Sequence, residues 1–314
     1  MNIKKLFRCG WRYLTNADYR FVIDSSYGRY NAMPDEAYLK RKFQATMGRP
    51  LDLEAPKTMN EKLQWLKLYD RRPEYTMMAD KYLVRNYIAE KLGEEYLIPL
   101  LGVWDDPEKI DFDVLPDKFV LKCNHNSGTG MCICKDKEKL DLQKVKAGLR
   151  KGLKEDYYLT GREWVYKDIP RRIIAEKYMC DDPNKDEFTD YKFYCFNGYV
   201  DCVLVCSERS TGSPKFYFFD RDWNLKRYNK RGLAAPADFT MPKPENMDKM
   251  FDIAQRLSAD VGAPFLRVDL YNSDGQIYFG ELTFFPDCGF DVNRLPETDR
   301  YFGDLIRLEN RKGE

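Results

Sequence analysis

The segment from Arg267 to Phe290, RVDLYNSDGQIYFGELTFFPDCGF, consists of two runs of alternating apolar and polar residues joined by an Asp-Gly turn. This pattern predicts a β-hairpin. Because residues two apart share one face of a strand, Arg267 and Asp269 share a side of the first strand. For the same reason, Glu281 and Thr283 share a side of the second. We expect the folded hairpin to bring Asp269, Glu281 and Thr283 onto one face beside a guanidinium.

Two carboxylates and one neutral oxygen beside a cation suit a magnesium ion. Proteins hold Mg²⁺ through one or two carboxylates together with substrate phosphates. The hairpin therefore predicts a metal site made of Asp269, Glu281 and Thr283. The alternative is an antiparallel hairpin with a solvated polar face, because short motifs also match by chance.

The composition limits the classes of function. Of the 314 residues, 33% are charged and 43% are hydrophobic, which is typical of a soluble globular protein. A net charge of +1 provides no global field for nucleic acid or an acidic polymer. The single histidine, His125, argues against a Ser-His-Asp or Cys-His enzyme unless it is itself the base. Nine cysteines without a C-x-x-C pair argue against structural zinc and for buried thiols in a reducing cytosol.

The N-terminal sequence MNIKKLFRCGWRYL combines basic and aromatic residues without the continuous apolar stretch of a secretory signal. No apolar run reaches the roughly 18 residues of a spanning helix. We therefore expect a cytoplasmic protein. Two interpretations of the N-terminus stay open. It lies on the inner face of the membrane as a peripheral segment, or it docks on the protein or frays.

Helix and strand signals are mixed along the chain, which predicts an α+β (α/β) fold. Thr58 and Glu61 form a capping box that starts a helix over 57–69. Further helices are predicted over 80–92, which includes Lys81, and over 142–153, 245–261 and 299–310. Strands are predicted over 97–104, 118–122, 131–134, 172–179, 191–196, 199–206 and 215–220. The pair Asn197-Gly198 predicts a type I′ turn between two of these strands.

The loop from Asn124 to Gly130 follows a strand that ends in Lys122. Small residues let the backbone approach an anion, and amides and hydroxyls donate to phosphate oxygens. The candidate donors are Ser127, Gly128, Thr129 and Gly130, and Lys122 would neutralise phosphate charge. The loop is not a P-loop, since no Gly-Lys-Ser/Thr helix follows. The alternative is an ordinary hairpin loop after a surface lysine.

The strand RIIAEKYM ends in Glu176, Lys177, Tyr178 and Met179. Free backbone groups at a strand edge can bind an adenine ring, with aromatic and thioether side chains against its face. Lys192 on the next strand can reach the same cavity. The alternative is a half-buried strand with alternating charge.

The Lys81 segment, the Lys122 strand with its loop, the Glu176 strand and the hairpin occur in an order that resembles the ATP-grasp superfamily. Within it, the chain is most similar to the TupA-like ATP-grasp proteins of polysaccharide gene clusters. The resemblance covers roughly residues 35–312. Three stretches carry it: 57–104 (KTMNEKLQWLKLYDRRPEY and beyond), KFVLKCNHNSGTG, and the hairpin segment. It implies two α+β subdomains that hold ATP and an N-terminal substrate domain. The expected domains are 1–105 on the substrate side, 106–180 as the lid subdomain, and 181–314 as the metal- and ATP-binding subdomain.

The resemblance also implies roles for individual residues. Lys81, Lys122 and Lys192 would contact ATP, and Ser127 to Gly130 would form the lid over its phosphates. Glu176, Lys177 and Tyr178 would flank the adenine. Asp269 and Glu281 would bind Mg²⁺, and Arg267 would stabilise the transferring phosphoryl group. The superfamily usually has Asn where this chain has Thr283, and a hydroxyl can also ligate a metal ion or hold a water.

The implied reaction is a carboxylate–amine ligation through an acyl phosphate, with a uronic-acid-bearing saccharide and an amino acid or amine as substrates. Two alternatives are an ATP-dependent saccharide kinase and a glycosyltransferase of capsule or O-antigen synthesis. Asp111-Phe112-Asp113 matches the D-x-D metal motif of glycosyltransferases, but it lies in a charged linker before the strand that starts at Lys118 and so does not favour that alternative. Arg162, Arg171 and Arg209 are candidate clamps for a substrate carboxylate, since guanidinium pairs bidentately with it. They are otherwise ordinary surface charges.

Overall fold

The computed structural model describes residues 3–179, 189–208, 212–273 and 275–309, with side chains from residue 8 onward. Asp274 of the predicted hairpin turn and the candidate clamp Arg209 lie outside the described residues. The chain divides into two compact units. The first comprises Met1–Arg71, Tyr158–Trp164 and Phe285–Glu314, and the second comprises Arg72–Tyr157 and Val165–Phe284. The division into domains 1–105, 106–180 and 181–314 stays a prediction.

Helices and antiparallel strands are mixed, as an α+β chain requires. The helices are α1 (Ile3–Thr15), α2 (Ala17–Ser26), α3 (Asp35–Met47), α4 (Met59–Tyr69), α5 (Glu74–Ala79), α6 (Val84–Lys91), α7 (Leu142–Lys154), α8 (Tyr158–Gly161), α9 (Lys230–Ala234), α10 (Met247–Val261) and α11 (Pro296–Leu305). The strands are β1 (Leu100–Trp104), β2 (Phe119–Cys123), β3 (Cys132–Cys134), β4 (Ile173–Lys177), β5 (Asp190–Phe196), β6 (Tyr199–Ser207), β7 (Lys215–Phe219), β8 (Leu225–Lys226), β9 (Phe265–Ser273) and β10 (Gln276–Thr283). Within the described ranges, no helix is both long and apolar enough to cross a membrane.

In the first unit, α4 begins at the predicted capping box. The Thr58 hydroxyl accepts a hydrogen bond from the Glu61 N–H at 3.3 Å, and the Glu61 carboxylate accepts one from the Thr58 N–H at 3.0 Å. These bonds satisfy backbone donors that the helix leaves open. Helix α11 packs closely on this end of α4. A Cβ at Gly303 would lie 2.1 Å from the carbonyl oxygen of Lys57, so only glycine permits the approach.

The second unit contains two antiparallel sheets. The smaller has the strand order β1-β4-β2-β3 and packs against α7. The core between the sheet, α7 and the preceding loop consists of Ile110, Phe112, Leu115, Phe119, Leu121, Cys134, Leu149, Ile173 and Ala175. Lys122 on β2 and Glu176 on β4 belong to neighbouring strands of this sheet.

The larger sheet has the strand order β10-β9-β5-β6-β7-β8, with α10 packed against it. The turn between β5 and β6 has positive φ at Asn197 (48°) and Gly198 (84°), as a type I′ turn requires. The predicted buried side of α10 is confirmed; it contains Met247, Met250, Phe251, Ala254 and Leu257.

Strands β9 and β10 form the predicted hairpin. Asp269 lies opposite Glu281, and Arg267 lies opposite Thr283. A β-bulge at Gly280 shifts the register between Phe279 and Glu281. A Cβ at Gly280 would lie 2.8 Å from the ring of Tyr271 and 3.0 Å from the Asp269 carbonyl oxygen, so the bulge depends on glycine.

The helix predicted over 80–92 is shorter than expected, and Lys81 is not on it. Helix α6 begins at Val84, and Lys81 lies in the preceding turn. The Asp80 carboxylate accepts hydrogen bonds from the backbone N–H groups of Tyr82 and Leu83 at 2.8 and 3.3 Å. This side-chain bonding replaces helical bonding and keeps the chain in a turn.

Candidate active site

The face of the β9–β10 hairpin carries a compact charged cluster. Arg267 donates through Nε and Nη2 to the two oxygens of Asp269, at 2.7 and 2.8 Å. The same Nη2 donates to Glu281 Oε1 and Thr283 Oγ1, both at 3.1 Å. One guanidinium therefore gathers both carboxylates and the hydroxyl that the sequence predicts as metal ligands.

Two lysines from other elements complete this cluster. Lys192 lies opposite Asp269 in the β5–β9 register, and its Nζ is 2.5 Å from Asp269 Oδ2. Lys81 Nζ lies 3.5 Å from Glu281 Oε2. The 80–83 turn, β5 and the hairpin thus bring their charges to one place.

The electrostatics keep Glu281 ionised. Burial by itself would raise its pKa, but the nearby cations outweigh that effect and lower the pKa of Glu281 to about 2. The cations are Lys81, Arg267, Lys192 and Lys122, in decreasing order of effect. Lys122 belongs to the smaller sheet, so both sheets of the second unit contribute charge at Glu281. Charged donors at this density suit phosphate oxygens.

Glu176 is the centre of a second ion cluster. Lys122 Nζ lies 2.6 Å from Glu176 Oε2, and Arg85 Nη1 lies 3.5 Å from Glu176 Oε1. Arg85 also donates through Nη2 to the carbonyl oxygen of Ile98 at 2.9 Å. Arg85 therefore fixes the Glu176 carboxylate from one side, while Lys122 occupies the other and remains 22% exposed.

The loop after β2 is anchored at its start and exposed at its tip. Asn124 Nδ2 donates to Asp80 Oδ1 at 2.8 Å, and Lys81 Nζ donates to the carbonyl oxygen of Asn126 at 2.9 Å. Lys81 therefore joins the base of the loop to Glu281. Ser127 and Gly128 at the tip are exposed, whereas Thr129 and Gly130 are half-buried.

His125 is an anchor of this loop. It is 1% exposed, and its Nε2 lies 3.1 Å from the carbonyl oxygen of Glu155. Since a carbonyl only accepts, the hydrogen bond requires a proton on Nε2. Burial lowers the pKa of His125, which favours the neutral ring. Asn126 reinforces the anchor by donating to Glu155 Oε2 at 2.9 Å.

Other predicted site residues stand apart from the carboxylates. In the described part of the chain, no hydrogen bond or ion pair links Ser127, Gly128, Thr129 or Gly130 to Asp269 or Glu281. Lys177 is exposed at the end of β4, and Tyr178 lies beneath Lys135, whose Nζ is 5.9 Å from the ring centroid. Their roles toward ATP stay predictions.

The two candidate carboxylate clamps that the structure describes differ in burial. Arg162 is 3% exposed and donates to the carbonyl oxygens of Tyr30 and Asn31 at 2.9 and 3.1 Å, so it is engaged inside the first unit. Arg171 is exposed and donates to the Leu153 carbonyl oxygen at 3.1 Å.

The sequence analysis did not identify Arg85, Asp80 or Asn124 as contributors to the site. Asn124 Oδ1 accepts a hydrogen bond from the Arg172 N–H at 2.7 Å, and Asn124 Nδ2 donates one to Asp80. Asn124 therefore ties the loop to two separate segments. These bonds join residues tens of positions apart, and no local spacing signals them. The turn from Asp80 to Val84 was a usable signal, because Asp before a helix commonly bonds the next backbone N–H groups.

The donor set fits a magnesium ion. Among the described residues, no group of three His, Cys, Asp or Glu side chains could hold a metal. Mg²⁺ does not require one, since it binds one or two carboxylates and takes its other oxygens from phosphates and water. Asp269 and the ionised Glu281 supply two carboxylates, and Thr283 Oγ1 lies 3.3 Å from Glu281 Oε1 as a neutral oxygen.

Several solved structures are similar to this one at low sequence identity. D-alanine–D-alanine ligase from Bacillus anthracis is 15% identical, over 80% of this chain and 69% of that chain, with a TM-score of 0.41. D-alanine–D-alanine ligase from Helicobacter pylori is 12% identical, over 80% and 70% of the two chains, with a TM-score of 0.43. L-amino acid ligase from Bacillus licheniformis is 12% identical, over 82% and 57%, with a TM-score of 0.41.

The family assignment rests on the sequence itself. No curated protein matches the chain. The profile of the TupA-like ATPgrasp family matches residues 61–307, which is most of the chain and includes every predicted ATP and metal residue. The resemblance seen in the sequence is thereby confirmed, together with the α+β ATP-grasp fold. The chain belongs to the TupA-like ATPgrasp family.

Proposed function

We propose that this protein is an ATP- and magnesium-dependent carboxylate–amine ligase. The observation that carries the proposal is the cluster in which Arg267 and Lys81 contact Glu281 and Lys192 contacts Asp269, with Lys122 near enough to lower the pKa of Glu281. Such a set binds a triphosphate and stabilises charge that develops during phosphoryl transfer. It includes no nucleophilic cysteine and no free histidine base, and phosphoryl transfer needs neither.

In this mechanism the residues position reactants and screen charge. Asp269, Glu281 and Thr283 would hold Mg²⁺, which supplies charge neutralisation for the phosphate oxygens when bound. Lys122 would exchange Glu176 for a phosphate oxygen, while Arg85 keeps Glu176 oriented. Arg267 would turn from the carboxylates toward the transferring phosphoryl group.

The ligation proceeds in two substitutions. A substrate carboxylate oxygen attacks the γ-phosphorus of ATP, and the bond to the β,γ-bridging oxygen breaks to release ADP. The amine then attacks the acyl carbon of the acyl phosphate, inorganic phosphate leaves, and the amine loses a proton. The loop Ser127–Gly130, whose tip is exposed at Ser127 and Gly128, is suited to cover the phosphates and exclude water from the acyl phosphate.

The proposed substrates are a uronic-acid-bearing surface polysaccharide or its precursor and an amino acid or amine. Support comes from the TupA-like ATPgrasp family. The proposed location is the cytoplasm, because the reaction consumes ATP. The magnesium requirement and the identity of the saccharide are the most specific parts of the proposal and should be tested first.

Binding calorimetry tests the nucleotide site. The native protein and Glu281→Ala are titrated with a non-hydrolysable ATP analogue, with and without Mg²⁺, and with a UDP-sugar. We expect the analogue to bind the native protein and Glu281→Ala to lose the magnesium-dependent part. Binding of the UDP-sugar without the analogue would replace this proposal with a glycosyltransferase.

Product analysis tests the reaction. Uronic acids and amines are supplied in pairs, ADP release is followed, and products are weighed by mass spectrometry. A ligase needs both substrates and yields an amide, with a mass equal to the sum of the two substrates minus water. A phosphorylated saccharide formed without the amine would identify a kinase instead.

A further inference from the structure

Helix α1, from Ile3 to Thr15, differs in charge from the rest of the chain. Its thirteen residues, IKKLFRCGWRYLT, include Lys4, Lys5, Arg8 and Arg12 and no acidic residue. The whole chain has a net charge of only +1, so this segment concentrates positive charge locally. A cationic helix of this kind attracts an anionic surface.

The apolar residues of α1 recur at helical spacing. In the sequence of α1, Ile3, Phe7, Trp11 and Leu14 are spaced by three or four residues, with Leu6 beside Phe7, which is the spacing of an amphipathic helix. In the described part of the helix, Trp11 is 67% exposed and Leu14 is 72% exposed. A Trp and a Leu beside each other in water favour an apolar partner.

The contacts of α1 with α2 do not use the side chains of Trp11 and Leu14; Arg20 Nη1 of α2 donates to the backbone carbonyl oxygen of Leu14 at 3.2 Å. The Tyr13 hydroxyl donates to Asp24 Oδ1 at 2.6 Å, and the Arg12 guanidinium lies 4.5 Å from the centroid of the Tyr19 ring. Arg12 and Tyr13 therefore fix α1 to the first unit. This leaves Trp11 and Leu14 on a side that α2 does not cover.

We propose that α1 binds an anionic lipid bilayer, lying in the plane of the headgroups with its apolar face inserted. A basic face without acidic residues matches anionic headgroups, and Trp is suited to the interface between headgroups and acyl chains. The helix is too short to span a bilayer, which needs about 20 apolar residues. The inference is independent of the ligase reaction, because none of these residues belongs to the nucleotide site.

Vesicle sedimentation of the full-length protein tests the proposal. Vesicles of phosphatidylcholine alone are compared with vesicles containing phosphatidylglycerol, at low and high salt. We expect binding to the anionic vesicles, at least tenfold weaker binding to the neutral ones, and loss of binding at high salt. A blue shift of tryptophan emission on binding should vanish in Trp11→Phe if Trp11 enters the bilayer.

Three variants make the test decisive. Trp11→Ser combined with Leu14→Ser, and separately Lys4→Glu combined with Lys5→Glu, are each expected to weaken binding at least tenfold. Tyr27→Ser, at an 85% exposed tyrosine after α2, is the matched control and should bind as the native protein does. Retained binding of the ATP analogue shows that each variant is folded.

Two outcomes would overturn the proposal. The first is equal sedimentation with neutral and anionic vesicles, or none with either. The second is concentration-dependent self-association that Trp11→Ser/Leu14→Ser abolishes, which would make a second copy of this chain the partner of the helix.

Discussion

Two lysine environments in this molecule show how the same side chain serves different ends. In the first unit, Lys67 on α4 is 0% exposed. It donates to Gln64 Oε1, to the Gly161 carbonyl oxygen and to the Cys288 carbonyl oxygen at 2.9, 2.7 and 2.6 Å. In the second unit, Lys81 and Lys122 are 13% and 22% exposed and are held by carboxylates.

The difference lies in what can replace each partner. The three donors of Lys67 are all used by neutral oxygens fixed in the fold, so no ligand can enter. Burial lowers the pKa of Lys67 to about 8, although Glu163 and Cys288 favour its charged form. At the candidate site the lysines keep a solvent-facing side, and we propose that a phosphate takes the place of a carboxylate there. The first arrangement stabilises the unit, whereas the second leaves room for the proposed ligand.

The largest expected effect is on the stability of Lys67→Met. The change removes the Lys67 donor from Gln64 Oε1 and the Gly161 carbonyl oxygen, and leaves the Cys288 carbonyl oxygen with its bond from Gln64. It also removes the main cation acting on the buried Glu163, so we expect a loss of about 3–5 kcal/mol in the free energy of unfolding. Urea denaturation measures it. Lys62→Met is the control on the same helix, since Lys62 donates to one carbonyl oxygen, that of Ile306, and should cost below about 1 kcal/mol.

The same variant has a signature in pH. The pKa of Lys67 is depressed from 10.5 to about 8, so the unfolded chain binds more protons between these values. The native protein should therefore gain stability from this group as pH rises through that window, and Lys67→Met should lack the gain. An unchanged pH slope in the variant would show that Lys67 is not the titrating group.

Lys122→Met should differ from Lys67→Met, because we expect little change in the free energy of unfolding and a large loss of activity. Loss of one charged donor to the reacting phosphate is expected to lower kcat about 100- to 1,000-fold. Glu176 retains Arg85, so the fold loses only a partly exposed ion pair. Lys118→Met, at an exposed lysine just before β2, is the matched control. Full activity of Lys122→Met would remove Lys122 from the site.

Glu281→Gln removes the negative charge of residue 281 and keeps the size of its side chain, so it tests what the charge contributes to stability. The pKa of Glu281 is lowered from 4.5 to about 2, so its stabilising effect is complete above 4.5 and is lost as pH falls toward 2. The native protein should therefore lose stability faster than the variant when urea denaturation is repeated from about pH 6 down to about pH 3. Glu245→Gln, at an exposed residue, should follow the native curve.

The smallest effect is expected at Thr283. Thr283→Val keeps the shape but removes the hydroxyl beside Arg267 and Glu281, and should raise the Mg²⁺ concentration for half-maximal activity about tenfold. Thr283→Asn returns a neutral oxygen and should recover most of the loss. If Thr283→Val needs no more Mg²⁺ than the native protein, the hydroxyl is neither a ligand nor a support for one.

The sequence predicted those parts of the site that depend on local spacing. Alternation along β9 and β10 placed Arg267, Asp269, Glu281 and Thr283 together, since side chains on a strand follow a period of two. The approach of Lys81 to Glu281 depends instead on how the 80–83 turn packs against the hairpin. Its helix boundary was wrong because the Asp80 side chain competes with helical backbone bonds.

Long-range partners carried no local signal. Arg85 meets Glu176 across 91 positions and Ile98 across 13, and an arginine on an amphipathic helix looks like any solvated charge. Asn124 resembles an ordinary loop residue until Asp80 and Arg172 are placed beside it. Such contacts follow from tertiary packing, which a reading of consecutive residues does not include.

The bulge at Gly280 has a consequence for protein engineering. The register that puts Glu281 opposite Asp269 depends on Gly280, because the ring of Tyr271 leaves no room for a side chain at that position. A designer who transplants this hairpin into another sheet has to move the span 267–283 as one piece, with Gly280 and Tyr271 unchanged. In a library randomised at position 280, selection for activity should return glycine alone, whereas selection for expression should tolerate more residues.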